Sequence, residues 1–334
     1  MSLLFQLDFP LAFPDLKASA DFRTQPEDFF VDEQLGFDLS GNGEHLCLYI
    51  EKRNQNTIGI AKKLAELAGI KLMDVGYCGL KDKHAVTRQW FSLYLGQRDL
   101  DWHSIELEDC IILSSIKHNK KLRRGDHARN AFCIRLRNVQ GDAELLEQRW
   151  KDIGGKGVPN YFGEQRFGYG GSNLQLAESL IDVHARIWRE RKNQFAVSAV
   201  RSYLFNHVLA DRVRTEEWRG VINGDPQVGD LPLIATGPLW GRGRPLSFET
   251  LAEREKNLLE PYALFCEKLE HLGLQQERRA LLLKPENVSV RREEKDWVLS
   301  FSLPPGTYAT SVLREFLQLK NIQHSHQHPQ QQNL

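Results

Sequence analysis

The feature that most constrains this chain is where its hydrophobic period changes. Near both ends apolar residues recur at every second position, the period of a strand with one buried face. In the middle they recur at helical spacing. His45 to Glu51 sets Leu46, Leu48 and Ile50 on one face. Asn130 to Arg137 alternates Phe132, Ile134 and Leu136 against Cys133, Arg135 and Arg137. Shorter strand patterns occupy Phe29–Glu33, Val75–Cys78 and Arg88–Leu95, and late ones Val288–Arg291 and Trp297–Leu303. Between them the clearest element is a helix over Phe195–Val213, with Val197, Val200, Leu204 and Val208 on its stripe. Breaks at Gly154-Gly155-Lys156-Gly157-Val158-Pro159 and at Lys284-Pro285 bound this helical region. The pattern predicts an α/β (α+β) protein in which a strand-rich domain, 1–156 plus 284–320, is interrupted by a mainly helical insertion, 157–283. Residues 321–334, rich in His and Gln, are expected to be a disordered tail.

Two more helices are expected. Thr57–Ala68 carries Ile58, Ala61, Leu64 and Leu67 or Ala68 on its apolar stripe and stops at Gly69. Tyr308–Leu319 follows the Pro304-Pro305-Gly306 turn and buries Val312, Leu313 and Phe316. Gly237–Pro245 reads as a loop.

Composition excludes several classes. Hydrophobic residues are 41% and charged residues 26%, as in ordinary globular proteins. No apolar run is long enough to span a bilayer, and the N-terminus lacks a basic region and a small-residue cleavage site, so neither membrane segment nor signal peptide is expected. Five cysteines, an odd number without a CxxC, fit reduced thiols in a cytoplasmic protein better than disulfides or zinc. His324, His326 and His328 lie in the polar tail, and no metal site is expected there; His45, His103 and His207 read as ordinary surface or core residues. A net charge of zero argues against a chain that coats nucleic acid everywhere, but not against a local basic surface. Lys117, Lys120, Lys121, Arg123, Arg124 and Arg129 face only Asp126 in one run; Arg186, Arg189, Arg191, Lys192 and Arg201 face only Glu190 in another. Either run alone reads as a solvated face; two in a neutral chain lean toward a polyanionic partner.

Three stretches carry chemistry. In Val75-Gly-Tyr-Cys-Gly-Leu-Lys-Asp-Lys-His-Ala-Val-Thr-Arg-Gln-Trp90, Asp82 sits in a loop after a strand, flanked by Lys81 and Lys83 with His84 and Arg88 nearby. Cationic neighbours favour the ionised carboxylate, which suits a nucleophile or base. A charged surface turn is the plain alternative. Arg23-Thr-Gln-Pro-Glu-Asp-Phe-Phe-Val-Asp-Glu33 offers a basic residue, a turn and an aromatic entering a strand. Gly157-Val-Pro-Asn-Tyr-Phe-Gly-Glu-Gln-Arg-Phe-Gly168 is glycine-rich, but it has neither the dinucleotide fingerprint nor a GK[ST] ending, so no NAD, SAM or ATP site is read.

Asp82 within Gly79-Leu-Lys-Asp-Lys-His-Ala-Val-Thr87 resembles the signature of the TruD family of tRNA pseudouridine synthases. Pro26-Glu-Asp-Phe29, Asn130-Ala-Phe132, Gly157 to Gly168, Arg201-Ser-Tyr-Leu-Phe-Asn206 and Gly306-Thr-Tyr-Ala-Thr-Ser311 resemble further family stretches in order, over about Arg23 to Leu317. The resemblance implies a pseudouridine synthase catalytic domain with a mixed, mainly antiparallel sheet, split by a family-specific insertion. It implies tRNA as partner, uridine at position 13 as target, and no cofactor, metal or obligate protein partner. By position it implies Asp82 as the catalytic aspartate. It makes Phe29, Asn130 and Tyr308 contacts of the target nucleotide, Arg23 a partner of the aspartate, and Phe132 a pocket aromatic. Lys120, Lys121, Arg123 and Arg124 are expected at the RNA backbone. Where a relative carries phenylalanine this chain has Tyr308, whose hydroxyl needs a partner. An RNA methyltransferase would need a SAM-binding glycine loop that is not found, and a non-catalytic RNA-binding protein would not need Asp82.

Overall fold

The computed structural model describes residues 5–227 and 233–321. The chain forms two compact units. The first comprises residues 16–151, 285–306 and 317–321. Its strands are β1 (Ser19–Phe22), β2 (Phe29–Leu35), β3 (His45–Arg53), β4 (Val75–Tyr77), β5 (Val86–Tyr94), β6 (Cys110–His118), β7 (His127–Gln140), β8 (Glu286–Glu293), β9 (Asp296–Leu303) and β10 (Gln318–Asn321). They join one ten-stranded sheet with the path β8-β9-β7-β2-β5-β3-β6; β1 pairs β7 and β10, and β4 pairs β5. The sheet is mixed and mainly antiparallel: only β2 with β5 and β1 with β10 run parallel.

The alternation at His45–Glu51 does what period 2 requires. Leu46, Leu48 and Ile50 are buried with Phe91 and Leu93 of β5 beneath helix α1 (Thr57–Ala68). Asn56 caps α1 by accepting from the Ile58 N–H, and Gly69 ends it in the left-handed conformation, its N–H reaching the Ala65 and Glu66 carbonyls. The buried stripe is Ile60, Ala61, Leu64, Ala65 and Ala68. Ala61, Leu64 and Ala68 are buried as expected; Ile58 is only half-buried and Leu67 exposed, and Ile60 and Ala65 complete the stripe. Helix α2 (Ala143–Lys156) lays Trp150 edge-on against Phe301 of β9, and the indole N–H donates to the Ser289 carbonyl at 3.0 Å.

The second unit comprises residues 5–15, 152–284 and 307–316. Its axis is α3 (Gln194–Arg214), a 21-residue helix buried on nearly every side, as an apolar residue on each face demands. Val197, Val200, Leu204 and Val208 are all in its core. Besides small shifts that bring residues 152–156 and 284 into this unit, the expected boundaries change at two places. Segments 5–15 and 307–316, assigned above to the strand-rich domain, pack here: Phe9 stacks on Tyr161, and Ala12 and Phe13 N–H groups donate to Glu315. The expected helix over Tyr308–Leu319 is also shorter. Helix α4 covers only Ala309–Leu313, and Gln318–Asn321 instead completes the sheet beside β1. The edge of β1 offers backbone groups that need partners, and the Gln318 N–H begins that ladder at the Ala18 carbonyl. Val312, Leu313 and Phe316 are buried as expected. The expected loop at Gly237–Pro245 begins inside a strand, Thr236–Leu239, paired with Glu277–Ala280. Strands β1 and β6 carry no strong pattern in the sequence and are additions to the expected set. The expected disordered tail, with His324, His326 and His328, lies outside the described residues, apart from Asn321, which closes β10. All five cysteines are free thiols, and among the described residues no helix is long and apolar enough to cross a membrane.

Candidate active site

Asp82 lies in the loop from β4 to β5, two strands that pair antiparallel as Val75 with Leu93 through Tyr77 with Phe91. Its side chain is about a third exposed, and Arg23 Nη2 donates to Oδ2 at 2.5 Å. The Arg23 side chain is itself buried. Its guanidinium lies 4.3 Å from the centre of the Phe29 ring and 5.1 Å from that of Phe22, and its backbone is in the left-handed region at φ 56°. Phe29 is therefore buried under Arg23: it holds the arginine that holds the aspartate. Phe132, half-buried on β7, meets Phe29 edge-on at 6.0 Å and stacks on Phe301 at 5.3 Å.

The loop is fixed at its backbone as well. Lys52 Nζ, on β3 and fully buried, donates to the Asp82 carbonyl at 2.8 Å and the Gln55 carbonyl at 2.7 Å. Burial pushes the Lys52 ammonium down to about 8, against the pull of Asp82. The Lys81 N–H donates to Thr57 Oγ1, whose hydroxyl donates to Gln89, and Gln89 donates to the Gly79 carbonyl. The Lys81 side chain turns inward to an ion pair with Glu33, which also accepts from the Trp90 N–H. Burial pushes the Glu33 carboxyl up and the Lys81 charge opposes it. Of the cations expected around Asp82, Lys81 thus serves Glu33, and Arg88 pairs with Glu51 at 2.7 Å. Two cationic neighbours of Asp82, Arg23 and Lys52, are distant in sequence.

Asn130 sits opposite Glu33 across β2 and β7. Its amide donates to His127 Nε2 at 3.1 Å, while its Oδ1 is buried with no hydrogen-bond partner among the described residues. Burial, helped by the Lys81 charge, pushes the His127 imidazole down to about 4, so it is neutral at physiological pH. The sheet unit therefore gathers Asp82, Arg23, Phe29, Asn130 and Phe132. Sequence reasoning left Lys52, Glu33 and His127 without a role.

Tyr308 belongs to the other unit. Its hydroxyl accepts from Arg166 Nε at 2.9 Å, and its ring meets Phe162 edge-on at 5.9 Å. Gly163 is required there, since an added Cβ would lie 2.6 Å from Thr310 Oγ1 and 3.0 Å from the Tyr308 ring. Three of the quoted stretches converge: Asn206 accepts from the Phe162 N–H and donates to its carbonyl, and the Ser311 hydroxyl donates to the Tyr161 carbonyl.

The expected basic surfaces are partly committed. Lys120, Arg123 and Arg124 are exposed, Arg124 lying over Tyr77, but Lys121 donates to the Met73 carbonyl. Lys117 pairs with Asp99 and Arg129 with Glu286. In the second run Arg201 is structural: it donates to the Trp240, Leu239 and Gln275 carbonyls and pairs with Glu277.

The family model for tRNA pseudouridine synthase D (TruD) matches residues 17–183 and 227–316. The chain belongs to the TruD family. A tRNA pseudouridine synthase D from Cellvibrio japonicus is 49% identical over 326 residues, 96% of this chain and 95% of the relative. The family member from Methylococcus capsulatus is 44% identical over 335 residues, 93% and 94% of the two chains. A crystal structure from Methanosarcina mazei, named for the same family, superposes with a TM-score of 0.68 at 22% identity, covering 92% of this chain and 95% of that one, and carries the fold. The matched regions of the family include Asp82 with its loop and the Tyr308 segment.

Proposed function

We propose that this protein isomerises uridine to pseudouridine in tRNA, at position 13, with Asp82 as the reacting carboxylate. Family membership supports the reaction class. The single observation that carries the site assignment is the Asp82 carboxylate, a third exposed, on a loop anchored through its own carbonyl by Lys52 and through its side chain by Arg23. Pre-positioning of this kind is what a reacting group needs.

In the reaction the N1–C1′ bond breaks, the uracil turns, and a C5–C1′ bond forms. The C5 hydrogen leaves to solvent and N1 gains a proton. Atoms and electrons balance within the nucleotide, so the chemistry calls for no imported group. Asp82 acts on the ribose, by attack at C1′ or by taking the C2′ proton. The base must first leave its stack, at a cost of a few kcal/mol. Phe132, half-buried in the sheet unit, is the aromatic assigned to its pocket. The unpartnered Asn130 Oδ1 is an acceptor suited to the uracil N3–H. The exposed Lys120, Arg123 and Arg124, with Lys121, are assigned to the RNA backbone. A tRNA substrate agrees with a cytoplasmic location.

The test uses unmodified tRNA tritiated at uridine C5. Turnover releases tritium to water, and Asp82→Asn abolishes release while tRNA affinity stays within a few-fold. Substantial turnover by purified Asp82→Asn refutes the catalytic assignment. Binding without release by the wild type would make the protein a binder.

A further inference from the structure

Arg166 differs from four inward-lying arginines of its unit and resembles Arg279 and Arg314, whose Asn160 and Phe9 acceptors are neutral. Arg201, Arg212, Arg254 and Arg278 each pair with a carboxylate: Glu277, Asp225, Asp211 with Glu217, and Glu255. Arg166 is half-buried, and its guanidinium is held only by neutral oxygens. Nε donates to the Tyr308 hydroxyl at 2.9 Å and Nη1 to Ser198 Oγ at 3.2 Å. No acceptor among the described residues meets Nη2. Its guanidinium lies over Phe162 and Tyr308, at 5.5 and 5.9 Å from the ring centres. The same Phe162 ring carries a second guanidinium, that of Arg279, at 4.1 Å. Arg279 is well buried, and burial together with the Arg166 charge pushes it down to about 10. A second observation lies on α3: Phe195, one helical turn before Ser198, is 63% exposed. An aromatic ring and an uncompensated, orientated guanidinium on one stretch of surface suit a nucleotide strand, whose phosphate takes the fork and whose base takes the ring.

We infer that Arg166, presented by Tyr308 and Ser198, binds a backbone phosphate of the RNA, and that Phe195 stacks on a base of the same strand. This contact rests on the RNA reading above and gives the helical unit an RNA-binding role of its own. It also gives the Tyr308 hydroxyl a purpose: it orients the guanidinium and leaves Nη2 for the phosphate.

Binding of an unmodified tRNA transcript is measured by filter retention across a salt series, with melting temperature as the folding control. Arg166→Gln weakens binding roughly tenfold and reduces the slope of log affinity against log salt by roughly one counterion's worth, about 0.7 to 0.9. Arg166→Lys keeps the charge and the slope but recovers only part of the affinity, since an ammonium has no fork. Phe195→Ala weakens binding roughly five- to a hundredfold without changing the slope. If folded Arg166→Gln or Phe195→Ala binds as wild type, the inference is overturned. A wild-type protein that neither binds tRNA nor releases tritium would instead overturn the functional reading, so the two failures are distinguishable.

Discussion

Lys52→Met separates the electrostatic cost of the Lys52 anchor from its positioning value. In the folded protein the ammonium stands near 8 instead of its ordinary 10.5, because burial outweighs the attraction of Asp82; the Cys110 thiol and Lys81 are the other titrating groups that face it. The unfolded chain therefore binds more protons between about pH 8 and about pH 10.5, and stability rises with pH across that window. Below about pH 8 the cost of the buried charge is fully present, at about 3 kcal/mol for this displacement. Methionine removes that cost but leaves the Asp82 and Gln55 carbonyls without their donor, at about 1–3 kcal/mol each. The two effects oppose, so the variant and wild type should unfold at similar urea concentrations near pH 7. From about pH 7 to about pH 9.5 the wild type should gain about 2 kcal/mol on the variant, since a neutral amine still donates twice. Tritium-release kcat should fall roughly ten- to a hundredfold at every pH, because the carboxylate loses its backbone anchor. Urea unfolding of both proteins over this pH range supplies the stability difference. A difference that stays flat with pH, or a variant with unimpaired kcat, refutes the reasoning.

Three further outcomes are expected. Glu33→Gln leaves the Lys81 charge buried without its counter-ion and should destabilise by about 3–5 kcal/mol. Glu33→Leu combined with Lys81→Met should recover most of that loss in denaturant unfolding, and no recovery would mean the pair is not what the loop rests on. Replacing Lys120, Lys121, Arg123 and Arg124 by Ala should flatten the salt dependence of tRNA affinity by up to roughly 0.9 for each phosphate no longer neutralised; an unchanged slope would place the RNA elsewhere. Tyr308→Phe should lower tRNA affinity only a few-fold, because Arg166 then has no hydroxyl to donate to, while Tyr308→Ala should reduce kcat/KM roughly ten- to a hundredfold by removing the stacking ring. Equal damage in two normally folded variants would give the hydroxyl the larger role.

The period of the apolar residues made most of the sheet and the long helix legible. Leu46, Leu48 and Ile50 or Val197, Val200 and Leu204 have one way to be buried, and they adopt it. What escaped was set by partners remote in sequence. Gln318–Asn321 is a strand because β1 offers it an edge, and nothing local requires that. At the site, Asp82 stood out within its own loop, but its cationic partners could not be read from adjacency, because Lys81 is drawn inward by Glu33. A usable signal was present in the alternation itself. Lys52 continues the buried face of Leu46, Leu48 and Ile50, and Glu33 that of Phe29 and Val31. A charged residue in register with a core face needs a buried partner, and each has one beside the Asp82 loop.

Neither unit is a continuous piece of chain, and this bears on synthesis. The helical core needs Phe9 together with Val312 and Phe316, which are made much later than Phe9; the sheet edge at β1 waits for Gln318–Asn321. A nascent chain leaving the ribosome therefore holds apolar surface from both units open until nearly all described residues have emerged. Shortening the protein to end before Thr307 removes part of one core and the closing strand of the other sheet at once. Excising 157–283 as an independent module would strip it of both terminal segments.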